Sequence, residues 1–91
     1  MARDPMNRWI VEFVRQHGTR NAIGLQPGSA LCANHVVVDG WTEQREVFVP
    51  AWAARVKALR NVFTGQAVRP TQQDERGATF VLTGKSAYAV E

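Results

Sequence analysis

The pair Asp39-Gly40 constrains this chain more than any other two residues. It follows Val36-Val37-Val38 and precedes the run from Trp41 to Val49. Asp-Gly between two strand-like runs is the strongest short-range signal for a β-hairpin, because both residues tolerate the positive φ of a tight turn. The reading is a strand over 30–38, a turn at Asp39-Gly40 and a return strand over 41–49. Trp41, Glu43, Arg45, Val47 and Val49 share one phase of the return strand; Thr42, Gln44, Glu46 and Phe48 share the other. The Val47–Val49 end is expected in the core and the charged centre in solvent. Loops of two and three residues both fit, so the register stays open.

Pro50 then takes the one position where a helix tolerates proline, its first. Trp52, Val56, Leu59 and Phe63 make an apolar stripe with Val62 beside it, and four alanines favour helix. A helix over 50–63 closed by Gly65 is expected. A first helix is expected over 5–17. Asp4 caps it, Pro5 opens it, and Met6, Trp9, Ile10, Phe13 and Val14 form its apolar face. Arg8, Glu12 and Arg15 take the polar side at pairing distance. His17 and Gly18 mark its end.

The remaining segments are short. Gly18 to Ser29 reads as a linker in which Ile23 and Leu25 form an edge strand before the Gln26-Pro27-Gly28 turn. A short strand at 66–69 is stopped by Pro70, and 71–77 reads as an exposed loop. Ala78–Leu82 and Ser86–Val90 read as a second hairpin about Thr83-Gly84-Lys85, apolar on both faces. Such a hairpin is either central in a sheet or covered by another subunit. The predicted architecture is α+β, in the order α-β-β-α-β-β. An antiparallel sheet of four to five strands carries two helices on one face. Residues 1–91 form a single small globular domain.

Composition narrows the classes. The hydrophobic fraction is 45% and the charged fraction 21%, which argues against disorder. No apolar run reaches the length of a membrane span, and the N-terminal residues lack the apolar core of a signal peptide. One cysteine, Cys32, fits a reducing compartment, so a cytoplasmic protein without membrane attachment is expected. The net charge of +3 allows nucleic acid as a partner without requiring it.

No catalytic, cofactor-binding or metal-binding residue is assigned, and no cofactor is expected. Cys32 and His35 suggest a nucleophile and its base, but along one strand residues i and i+3 point to opposite faces. Asp39, Glu43 and Glu46 are carboxylates near the expected hairpin tip and read as solvated rather than as a cation site. Gly24 to Gly28 lacks the spacing of a phosphate loop, and Asp74-Glu75 reads as solvent-facing.

What remains is binding. The leading expectation is a small non-enzymatic interaction domain that self-associates as a homo-oligomer or meets a protein partner. Its contacts would be Trp41, Arg45 and Tyr88, with an exposed sheet edge. The alternative is a nucleic-acid-binding protein that uses Arg55, Lys57 and Arg60 along one helix, with Trp41 or Tyr88 stacking on a base. A small enzyme of unassigned chemistry is the third reading.

Overall fold

The computed structural model describes residues 5–17 and 22–91. Asp4, Gly18 and the start of the expected linker lie outside the described residues. Among the described residues one helix and nine strands follow in order: α1 (Pro5–His17), β1 (Ile23–Gly24), β2 (Ser29–Cys32), β3 (His35–Val38), β4 (Gln44–Pro50), β5 (Leu59–Asn61), β6 (Ala67–Val68), β7 (Gln72–Asp74), β8 (Gly77–Thr83) and β9 (Ser86–Val90). They build a six-stranded sheet in the order β1-β2-β3-β9-β5-β6 and a three-stranded sheet in the order β4-β8-β7. Every strand pair is antiparallel.

The fold is therefore mostly β, and the α+β expectation is overturned. The expected helix over 50–63 does not form. Pro50 ends β4, Ala51–Ala53 make one turn, and Leu59–Asn61 is a strand. Only Ala53 and Ala54 donate back to the Pro50 carbonyl, at 3.0 and 3.1 Å. The Lys57 and Ala58 amides donate instead to the Glu91 carbonyl, and β5 pairs with β9. Long-range sheet pairing thus outweighs an alanine-rich local preference, which is worth only tenths of a kcal/mol per residue.

Neither expected hairpin exists. Asp39 and Gly40 both donate to the Gly28 carbonyl at 2.9 Å, so their amides serve a neighbouring loop. β3 stays in the six-stranded sheet, while β4 pairs with β8 in the other. Asp39-Gly40 is a crossing between sheets. So is Gly84-Lys85: β8 is flanked by β4 and β7, and β9 by β3 and β5. Within the expected strand over 30–38 a hairpin forms instead at Ala33-Asn34, with φ of 49° and 60°, and pairs Cys32 with His35. Two positive φ values in a two-residue loop are the geometry of a type I′ turn. The segment 71–77, expected as a loop, instead contains β7, which pairs with β8.

The two sheets enclose one core. Val36, Val38, Val47, Val49, Leu59, Phe80 and Leu82 are fully buried, each stabilising the fold by roughly 1.5–3 kcal/mol on burial. The Val47–Val49 end of β4 enters the core as expected. The crossings pack backbone on backbone. A Cβ on Gly40 would lie 2.3 Å from the Gly28 Cα, and one on Gly84 would lie 1.9 Å from the Trp41 carbonyl oxygen. The Asp39–Lys85 ion pair (3.3 Å) ties the two crossings together.

Helix α1 matches its expected span and covers part of the outer face of the six-stranded sheet. Trp9 and Phe13 stack at 4.6 Å between ring centroids, and both approach the His35 ring. Trp9 also meets Phe63 edge-on. Arg8, Val11, Glu12 and Arg15 are exposed, and Glu12 pairs with Arg15.

Candidate functional site

The expected interaction residues are placed at the crossings rather than at a tip. Trp41 is 4% exposed and Tyr88 2%, so neither ring is displayed for stacking or for a partner. Trp41 folds into the core, where its indole N–H has no hydrogen-bond partner. Arg45 covers its ring, with the guanidinium carbon 5.2 Å from the centroid, and pairs with Glu43. The Glu43 carboxyl is held below its ordinary value by a backbone hydrogen bond at its own residue and then by Arg45. The Tyr88 hydroxyl accepts from the Thr83 amide (3.0 Å) and reaches the Thr83 carbonyl at 3.4 Å. Trp41, Arg45 and Tyr88 therefore serve the junction between the sheets.

Arg55, Lys57 and Arg60 are exposed but share no helix. Arg60 lies on β5 and is engaged by Glu91, with Nε 2.6 Å from the carboxylate, and by the Gly65 carbonyl. That pairing raises the Arg60 guanidinium above its ordinary value and lowers the Glu91 carboxyl.

Cys32 and His35 come together where the spacing argument kept them apart. They flank the two-residue turn and are cross-strand partners, so both side chains lie on one face of the hairpin. His35 Nδ1 lies 2.8 Å from the Ala33 carbonyl, which only accepts, so Nδ1 carries the proton. Of the carboxylates considered for a cation, Asp39 pairs with Lys85 and Glu43 with Arg45. Among the described residues no three histidine, cysteine, aspartate or glutamate side chains group to hold a metal.

Among the described residues the exposed large apolar side chains are Val11 on α1, Phe63 after β5, and Phe48 and Trp52 on and just after β4, in the three-stranded sheet. Strand alternation turns Val47 and Val49 inward, and Gln44, Glu46, Phe48 and Pro50 outward. Register sets Glu46 beside Val81 and Phe48 beside Thr79, with Gln72 beyond Thr79. Pro50 and Asp74 flank Gly77, against which the Phe48 ring packs. Phe48 is 38% exposed, and Trp52, in the turn just after β4, is 77% exposed. The turn is ordered by the Ala53 and Ala54 bonds to Pro50 and by the Ala51 amide on the Arg76 carbonyl (2.8 Å). Beside it opens a small cleft of ≈ 70 Å³ lined by Ala54, Arg55, Gln73, Asp74 and Glu75 among others.

The sequence carried part of this signal, since Phe48 shares a phase with Thr42, Gln44 and Glu46, the polar side of β4. It misplaced Trp52, whose spacing to Val56 and Leu59 mimics a helix. The free edge of β4 is guarded: Pro50 has no amide proton, and the Phe48 amide donates to Gln26 Oε1 (3.3 Å). No family model, no curated protein and no solved structure matches the chain. Among the described residues no helix is long and apolar enough to cross a membrane, which leaves β-barrel spans aside.

Proposed function

We propose that this chain is a non-enzymatic protein-interaction domain, working through the outer face of the three-stranded sheet. The observation that carries this reading is Trp52, 77% exposed on a turn with hydrogen-bonded backbone. Tryptophan is the side chain most enriched at interaction hot spots, and presenting it from an ordered turn lowers the entropy lost on binding. Phe48 extends the apolar surface along β4. Self-association is one form of this reading. It loses the C-terminal strand as its edge, because β9 has a neighbour on both sides. The nucleic-acid alternative through Arg55, Lys57 and Arg60 loses the helix that grouped them, and Glu91 already neutralises Arg60.

The test is photo-crosslinking from position 52 in the full chain, expressed in the cells it comes from, with position 69 as the control. A protein adduct, to a partner or to a second copy, is expected from position 52 alone. Phe48→Asp should abolish it while circular dichroism stays unchanged. Adducts equal at both positions, adducts insensitive to Phe48→Asp, or adducts to nucleic acid alone would overturn the reading.

A further inference from the structure

Resting on that reading, we propose that the occupant of this face is a basic polypeptide segment whose lysine or arginine side chains meet Glu46 and Asp74 while an apolar side chain covers Phe48. Of the carboxylate side chains on described residues, Glu12, Asp39, Glu43 and Glu91 each hold an ion pair. Glu46, Asp74 and Glu75 hold none, and all three belong to the three-stranded sheet or to the turn that joins β7 to β8.

The outward positions of that sheet contain two carboxylates, Glu46 and Asp74, and no basic residue. They stand out on a chain of net charge +3. Asp74 accepts the Arg76 amide on one oxygen (2.8 Å). Arg55 lines the cleft that holds Asp74 and Glu75, but it forms no ion pair within 4.0 Å. Glu46 and Asp74 give the sheet face itself a negative charge that favours cationic chains, while exposed Arg55 and Arg76 lie in the loops beside its Asp74 end. An exposed indole adds a second attraction, since tryptophan is the best aromatic partner of a cation. Val81, half-buried opposite Glu46 and diagonal to Phe48, supplies apolar floor at the Glu46 end of the face.

Three short synthetic peptides test this on the isotope-labelled full chain: one alternating Arg with Val and Thr, one with Glu replacing each Arg, and one with Gly replacing each Val. The first is expected to shift the amide signals of Glu46, Phe48, Trp52, Thr79 and Val81, and to weaken as salt rises. The acidic peptide should not bind, and the glycine peptide should bind several-fold more weakly. Glu46→Gln with Asp74→Asn should weaken the first peptide about tenfold, the change expected of two surface ion pairs.

Equal binding of the acidic peptide, shifts that map elsewhere, or no binding by any probe would overturn the proposal. So would sedimentation showing that a second copy occupies this face and excludes the peptide, or a single-stranded oligonucleotide binding in its place. A crosslinked partner at position 52 whose binding ignores Glu46→Gln and Asp74→Asn would sink the basic segment and leave the interaction face standing.

Discussion

Asp39-Gly40 and Ala33-Asn34 lie six residues apart on either side of β3, and each is the wrong way round for its local chemistry. The pair with the ideal hairpin composition carries the chain from one sheet to the other. The pair containing an alanine makes the hairpin, with both residues at positive φ. Turn composition states what a dipeptide tolerates, whereas strand pairing decides what it must do. The glycine of Asp39-Gly40 is still needed, for closeness rather than for φ: its Cα packs against Gly28, as Gly84 packs against Trp41.

The largest expected effect breaks the crossing side of that comparison. At Gly84→Ala the new Cβ would sit 1.9 Å from the Trp41 carbonyl oxygen and 2.4 Å from its carbon, and both are backbone. The crossings must part, disturbing the Asp39–Lys85 pair and the Gly84 amide bond to the Glu43 carbonyl. A loss of about 3 kcal/mol is expected, the upper range for overpacking. Gly24→Ala, with nothing within 4 Å, is the control and should change little. Urea unfolding reads both. Equal stability of the two variants would refute the backbone contact as the reason for a glycine at position 84.

A smaller effect sharpens the same junction. Tyr88→Phe keeps the buried ring and removes the hydroxyl that serves the Thr83 amide and carbonyl at the end of β8. Two part-buried backbone groups then lose a partner, at a cost of about 1–2 kcal/mol. Amide hydrogen exchange localises it: the Thr83 amide should lose protection before Val36 or Phe80. Uniform loss across both sheets would mean that the hydroxyl matters to the whole core and not to the crossing.

How much was legible follows from which interactions are local. Helix α1 was readable because Trp9 and Phe13 repeat at helical spacing and nothing in the sheets competes for its backbone. The same period over Trp52, Val56, Leu59 and Phe63 misled. Val56 and Leu59 are buried in the core, whereas Trp52 and Phe63 are exposed, and the Lys57 and Ala58 amides belong to the sheet through Glu91. Strand positions were largely readable, as the apolar ends of β4, β8 and β9 show, but strand partners were not. Partners depend on pairings such as Val36 with Tyr88, which lie 52 residues apart and leave no local mark. Cys32 and His35 were separated by a rule for one strand, and a turn between them reverses that rule. The candidate surface was half visible: Phe48 by its polar phase, Trp52 not at all.

The smallest effect tests the hairpin side. Ala33 holds φ of 49°, a region where a Cβ crowds the following carbonyl and costs roughly 1–2 kcal/mol. Glycine removes that strain but loses more backbone freedom on folding, returning part of the gain. Ala33→Gly should therefore stabilise the chain by about 0.5–1 kcal/mol, seen as a higher urea midpoint with an unchanged slope. Glycine is the more stable residue at both positions, but for different reasons: at 33 because of φ, at 84 because of the close Trp41 backbone. A fall in the midpoint would mean that the Ala33 methyl contributes more through packing than it costs in strain. The Ala33-Asn34 turn would then be held by side-chain contacts, as the Asp39-Gly40 crossing is held by its neighbours.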